Sequence, residues 1–283
     1  MKRELDDCQL IERSIQKKFR KTLWTPFVGA VKRYRLIDPG DRIAVCISGG
    51  KDSMLMAKLV QQLSRYSDVP FEVRYIVMDP GYAAANRQRI EENADRLRIP
   101  VQIFESNVFD VANAAEKNPC YLCARMRRGH LYSYARSIGC NKIALGHHFN
   151  DVIETTVMSM FYGAQLQGMM PKLRATNFPG MELIRPMYCI HEDDIIAWAR
   201  YNGLSFIQCA CRFTEKASNE TNEITSKRKE IKLLLRHLKG SNPDIEKCVF
   251  NSIHAVNLDT FPCWKTGGSM HCFLEHYDDA GGE

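Results

Sequence analysis

Three short segments carry residues whose types and spacing can do chemistry. The first, Ser48-Gly49-Gly50-Lys51-Asp52-Ser53, joins an unbroken apolar run, Ile43 to Ile47, to a helical pattern that begins at Met54. Its glycines let the backbone turn tightly and bring N–H groups against phosphate oxygens. The following helix N-terminus adds partial positive charge, Lys51 a full charge, and Ser48 and Ser53 hydroxyl donors. It is not a Walker A loop, because the Gly-x-x-x-x-Gly-Lys-Ser/Thr spacing is missing. The second segment, Cys120-Tyr121-Leu122-Cys123, puts two thiols on one face of a helix begun by Asn118 as N-cap and Pro119 in the first turn. The helix dipole and Arg125, Arg127 and Arg128 favour thiolates there. Cys209 and Cys211 offer two more. This spacing leaves three readings open: a redox dithiol of Cys120 and Cys123, a zinc site using all four, or an iron–sulfur cluster on three thiolates with one iron open. The third segment runs from Gly146 through His147 and His148 to Glu154. His147, Asp151 and Glu154, spaced by four and three, can share a helix face and position Mg2+, orient a base or assist proton transfer.

The elements that must hold these segments alternate. Strands are predicted over Ile43–Ile47, Phe71–Met78, Val101–Phe104 and Lys142–Leu145, with helices after Met54, from Ala84 to Leu97, from about Cys120 to Ile138 and from near Asn150. Short connections between strands and helices predict an α/β fold: a doubly wound, mostly parallel, Rossmann-like sheet with right-handed crossovers. Ile11, Ile15 and Phe19, four residues apart among charges, predict an N-terminal helix. After Arg185-Pro186 the pattern changes to a helix over His191–Tyr201, a last strand at Ser205-Phe206-Ile207, and a mainly helical, basic stretch over 219–259. The expected division is a basic helical extension over 1–37, a nucleotide-binding core over 38–187, and a mainly helical region over 188–283.

Length and composition narrow the class. The 283 residues are 45% hydrophobic and 25% charged, which excludes intrinsic disorder. No 18-residue apolar run is present, so no membrane association is expected. Acids near the start, at Glu4, Asp6 and Asp7, stand where a signal peptide would be apolar, so a cytoplasmic protein is expected. In that compartment most of the eleven cysteines should be small buried hydrophobes rather than disulfides. The net charge of +6 is unevenly spread, with basic clusters at Lys17–Lys21 (continuing to Arg35), at Arg125–Arg128 and from Lys227 to Lys239. Such clusters suit a polyanion such as nucleic acid.

The loop Ser48–Ser53 resembles the PP-loop of the ATP-pyrophosphatase superfamily, whose members cleave ATP between its α and β phosphates to adenylate a substrate; ATP and Mg2+ are thereby implied. Cys120 to Tyr132, the Gly40–Ile43 lead-in, Lys142–His148, Phe161-Tyr162-Gly163, Met169–Leu173 and Ile184-Arg185-Pro186 together resemble the tRNA 2-thiocytidine synthetase family (TtcA), in order from about residue 11 to 212. The resemblance implies a 4Fe-4S cluster held by Cys120, Cys123 and a later cysteine. Ile207-Gln208-Cys209 is similar to the family's Ile-Pro-Cys, which makes Cys209 the third ligand and Cys211 the fallback. Ser48 to Ser53 and His147 are then the nucleotide-binding residues, with Lys51 and Asp151 catalytic. Where the family has an acid, Asn150 stands here, leaving Asp151 as a single carboxylate. The implied activity is sulfur transfer to C2 of an anticodon-loop cytidine, tRNA position 32. The implied partners are tRNA, a sulfur donor such as a cysteine desulfurase or free sulfide, and a second copy in a homodimer. The alternatives are a paralogue thiolating or desulfurating another base or small molecule, and a zinc-stabilised, ATP-dependent tRNA-modifying enzyme.

Overall fold

The computed structural model describes residues 4–106, 108, 119–207, 223–275 and 277, with backbone alone at 119–121, 123, 124 and 223–226. Two helices open the chain, α1 (Asp7–Gln16) and α2 (Thr25–Arg33). Strand β1 (Arg42–Ile47) leads into α3 (Lys51–Tyr66), and β2 (Glu72–Asp79) into α4 (Ala84–Arg96). Then come β3 (Val101–Glu105), α5 (Pro119–Ser137), β4 (Lys142–Ala144) and α6 (Phe149–Gly163). The rest comprises β5 (Lys172–Arg174), β6 (Glu182–Ile184), α7 (Glu192–Tyr201), α8 (Glu223–Ser241), α9 (Ile245–Ser252), β7 (Cys263–Thr266) and β8 (Ser269–Cys272).

The main sheet has the order β3-β2-β1-β4-β6-β5, and every pairing is parallel except β5 with β6. β1 is central and buried from Ile43 to Ile47, as an unbroken apolar run requires when helices cover both faces. From β1 the chain winds outward through β2 and β3, then returns to lay β4 on the other side. The order therefore reverses between β1 and β4, and a crevice opens beyond their carboxyl ends. The connections that leave those two ends are residues 48–50 and 145–148.

The core joins this sheet to both flanking regions. Ile11 and Ile15 of α1, Phe19 and Leu23 of the segment joining it to α2, and Phe27 of α2 pack in one cluster with Ile43 and Val45 of β1, Leu55 and Leu59 of α3, and Trp198 of α7. Each such side chain contributes roughly 1.5–3 kcal/mol on full burial. α1 is fixed at its start by a capping box: Gln9 N donates to Asp6 Oδ1 at 3.0 Å and Asp6 N to Gln9 Oε1 at 3.1 Å. Lys58, fully buried on α3, ties α1 down through Glu12 Oε1 at 2.7 Å and donates to Leu97 O at 2.7 Å. The middle of α3 is thus held from two sides.

One expectation needs correction, and one element is additional. Ser205-Phe206-Ile207 forms no strand; the sheet position beside β4 belongs to β6, and β5 closes that edge. Instead Phe206 stacks on Trp198 with centroids 6.3 Å apart, and Ile207 presses on the loop after β1. The hairpin of β7 and β8 was not anticipated, although Gly267-Gly268, both at positive φ, is a recognisable two-residue turn. Among the described residues no helix is long and apolar enough to cross a membrane.

Candidate active site

The loop from β1 to α3 is built around Ser53. Its hydroxyl donates to Gly50 O at 3.0 Å and accepts from Ser48 N at 3.1 Å and Ser48 Oγ at 3.2 Å. Gly50 is the N-cap of α3 and supplies no side chain, so no side chain caps the first-turn N–H groups. Gly49 lies at φ +83°, and a Cβ there would stand 2.5 Å from Ile90 Cγ1 and 2.6 Å from Ile207 Cδ1. Conformation and space both require glycine.

Lys51, the first residue of α3, places its ammonium 3.1 Å from Asp52 Oδ1 and 3.2 Å from Glu192 Oε1. Burial works against its charge, but the two carboxylates more than offset this and raise its pKa. Glu192, at the start of α7, also takes the Lys232 ammonium of α8. Burial alone would raise its carboxyl; the two lysines overcome that and hold it down at about 2.

On the other wall, Gly146 leads from β4 to His147. α6 begins only at Phe149, so His147 precedes the helix instead of sharing its face, and His148 is the N-cap. His148 N donates to Asp151 Oδ2 at 3.0 Å, and its ring Nε2 lies 3.5 Å from the same oxygen and 3.8 Å from Asp52 Oδ1. Burial pushes His147 down to about 4, so its imidazole is neutral at pH 7. The Nδ1 atoms of both histidines are buried with no hydrogen-bond partner among the described residues, the condition a bound ligand or water would relieve. Asp151 Oδ1 is 3.4 Å from Arg228 of α8, and Glu154, one turn on, is 3.6 Å from the same guanidinium. Burial pushes the Glu154 carboxyl up to about 7. Asn150 is engaged structurally: its Oδ1 accepts from Glu192 N at 2.9 Å and so docks α6 against the start of α7.

Two cavities open between these walls. One, of about 540 Å³, is bounded by Ser48 and Ser53 of the loop, His147, and Arg127, Arg128 and Arg185. The other, of about 720 Å³, is bounded by Lys51, His148, Glu154, Glu192 and Lys232. Asp52, Asp151 and Arg228 line both and form the wall between them. Both volumes lie in the range of nucleotide-sized pockets. The first is markedly cationic, which suits phosphates. Arg185 there is buried, donates to Met170 O, and is pushed down by desolvation to about 10.

The loop residues, His147, Asp151 and the Arg127–Arg128 pair, distant in sequence, therefore meet at one crevice. Cys120 and Cys123 occupy the first turn of α5, whose later turns carry Arg127 and Leu131 to the smaller cavity. Cys209 and Cys211 lie outside the described residues. Ile207, two positions earlier, packs on Gly49, and its carbonyl oxygen lies 3.8 Å from where a Gly50 Cβ would stand. Sequence reasoning missed Arg185, Glu192 and Lys232 as individual site residues. Glu192 reads as an ordinary first-turn acid, and nothing in the local pattern marks Arg185 as buried at the cavity that Ser48 and Ser53 also line.

A family model described as PP-loop domain matches residues 12–235. The tRNA-cytidine(32) 2-sulfurtransferase of Citrifermentans bemidjiense is 33% identical over 232 residues, covering 81% of this chain and 88% of the relative. The protein of the same name from Syntrophotalea carbinolica is 35% identical over 230 residues, 80% of this chain and 86% of the relative. Among solved structures, the U34-tRNA thiolase NcsA from Methanococcus maripaludis with its [4Fe-4S] cluster superposes with a TM-score of 0.65, at 19% identity, over 87% of this chain and 83% of that one. At that identity the likeness is one of fold.

Proposed function

Because the chain belongs to the PP-loop domain family and shares most of its length with tRNA-cytidine(32) 2-sulfurtransferases, we propose that it is an ATP-dependent tRNA thiolase that converts cytidine 32 to 2-thiocytidine. The observation that carries this reading is the single crevice in which the phosphate loop faces the helix bearing Cys120 and Cys123. The uncapped N–H groups of α3, Ser48 and Lys51 hold the pyrophosphate portion of ATP. Arg127, Arg128, Arg185 and Arg228 offset the charge that gathers as pyrophosphate departs. The cytidine O2 attacks the α phosphorus, which turns a poor leaving group into AMP. Hydrosulfide then attacks C2, AMP leaves, and a proton is released. Asp151, on the wall shared by the two cavities, orients the base or takes that proton, and neutral His147 can accept or donate a single hydrogen bond without adding charge.

Mg2+ fits this site as a companion of the nucleotide, since it needs only one or two protein carboxylates besides phosphate oxygens, and Asp52 and Asp151 are at hand. Cys120, Cys123 and Cys209, with Cys211 as the alternative to the last, would hold the 4Fe-4S cluster. When bound, the cluster supplies an open coordination position for sulfide. The donor set fits in its chemistry: three thiolates suit an iron–sulfur cluster with one open iron, and positions 120 and 123 share the first turn of one helix. The RNA is gripped by the basic residues of α2 and α8, Lys32, Arg33, Lys227 and Lys229 among them. Segments 1–37, 38–187 and 188–283 act as RNA-binding extension, ATP-pyrophosphatase core and cluster-completing region. A cysteine desulfurase or free sulfide supplies the sulfur, and the working form is a cytoplasmic homodimer.

Mass spectrometry of tRNA nucleosides from cells with and without the gene tests the function. 2-Thiocytidine should vanish with the gene and return with the intact chain, but not with Lys51→Ala. A nucleoside profile unchanged by deletion would refute the proposal, and a colourless protein with stoichiometric zinc would favour the zinc-stabilised alternative.

A further inference from the structure

Away from the crevice, the C-terminal hairpin sets two thiols opposite each other. Gly267 and Gly268, at φ +58° and +88°, form a two-residue turn. The register pairs Thr266 with Ser269, Lys265 with Met270, Trp264 with His271, and Cys263 with Cys272. In such a hairpin the pair flanking the turn exchanges both backbone hydrogen bonds, and every second pair outward repeats this. Cys263 and Cys272 therefore occupy a non-hydrogen-bonded rung, where Cα atoms approach to about 4.5 Å and side chains come closest. The neighbouring contacts agree: Phe273 N donates to Pro262 O at 3.0 Å on the next rung, while Cys272 N turns away to Glu275 Oε1 at 3.0 Å. The Cys272 thiol opposite favours the protonated form of Cys263 and raises its pKa. Cys263 is exposed and Cys272 half-buried. Trp264 and His271 stack on the other face, with centroids 5.8 Å apart, and hold the register.

We propose that Cys263 and Cys272 form a thiol–disulfide exchange site that reacts with a small disulfide of the glutathione type and closes into a cross-strand disulfide. The rung meets the Cα separation a disulfide needs, about 4.4–6.8 Å, without moving the backbone. One protein thiolate attacks a sulfur of the small disulfide, RSSR, forming a mixed disulfide and releasing RS−. The second protein thiolate attacks the protein sulfur of that mixed disulfide and expels the other RS−. The two protein thiols lose two electrons and two protons, and RSSR is reduced to two RSH. A dithiol reductant reverses the change. This site uses none of the cysteines assigned above to the cluster and stands independently of the thiolation reading.

Peptide mapping of the full chain after equilibration in a glutathione redox buffer tests it. Trypsin cuts at Lys265, so closure links the peptides Cys248–Lys265 and Thr266–Glu283, at a mass lower by two hydrogens. The linked pair should form in the wild type and persist in Cys248→Ser, since Cys248 shares the first peptide. The double variant His271→Cys/Cys272→Ser keeps the thiol count but moves one thiol to the opposite face, and its linked fraction should fall at least tenfold. Glutathione adducts without the link, a link through Cys248, or equal linking in the register-shifted variant would each overturn the proposal.

Discussion

Glu154 gives the sharpest quantitative test of the crevice. Its side chain is 7% exposed, and burial carries its pKa from the ordinary 4.5 to about 7, against the opposing pull of Arg228 at 3.6 Å. One pKa unit is worth about 1.4 kcal/mol, so ionising Glu154 costs at most about 3 kcal/mol more in the folded chain than in the unfolded one. The sign follows from proton counts. Between pH 4.5 and 7 the folded chain keeps a proton that the unfolded chain has released, so stability falls as pH rises across that window. His147 acts oppositely. Burial lowers it from 6.5 to about 4, so between those values the unfolded chain holds the extra proton and stability rises with pH. From about pH 4.5 to 6.5 the two slopes nearly cancel, and the wild type conceals both. Substitution separates them. Relative to wild type, Glu154→Gln should gain up to about 3 kcal/mol between pH 5 and 8, while His147→Gln should lose a similar amount between pH 4.5 and 7. Urea unfolding at constant ionic strength, with equal m values, reads both differences. If the Glu154→Gln difference is flat with pH, the carboxyl is solvated and Glu154 is not part of a buried cavity wall.

Three further outcomes are expected. Gly49→Ala meets both positive φ and contacts of 2.5 and 2.6 Å, so it should cost at least about 1–2 kcal/mol and weaken ATP binding. Gly29→Ala in α2, with open space around it, should be neutral or stabilising by roughly 0.5–1 kcal/mol; thermal melts of the two compare them directly. Lys51→Ala should reduce tRNA-dependent pyrophosphate release at least tenfold while leaving absorbance near 400 nm unchanged, and bleaching would show that phosphate loop and cluster are not separate sites. Cys209→Ser should remove that absorbance in anaerobically purified protein and Cys211→Ser should not; the reverse result transfers the third ligand to Cys211.

Much of the sheet could be read from the sequence because its strands are apolar and separated by strongly periodic helices. β1, with five consecutive buried residues, is the clearest case. β5 and β6 could not be read, since three residues each are too few to show alternation. Ser205-Phe206-Ile207 misled for a related reason: a short apolar run looks the same whether it pairs in a sheet or packs on a ligand loop, and here it meets Gly49. Of the crevice, the glycines and Lys51 were legible because local backbone geometry dictates them. Glu192, Arg185 and Lys232 were not, because their roles depend on long-range partners: the clamp on Lys51 spans 141 residues of sequence. His147 shows the limit of spacing arguments. Its distance from Asp151 fits a helical repeat, yet the helix starts two residues later, and the two side chains meet at the cavity without sharing a helix.

Gly146 has a mechanical consequence. A Cβ there would lie 3.1 Å from Ser53 N and 3.2 Å from Ser53 Cα, so main chain rests on main chain, with no side chain as cushion. The gap between the two sides of the crevice is therefore gauged by peptide geometry and is insensitive to rotamers. Other residues around it can be exchanged, retuning charge or shape for a different nucleobase, while the spacing between phosphate seat and histidine stays constant. Even one methyl at position 146 would pry the two apart.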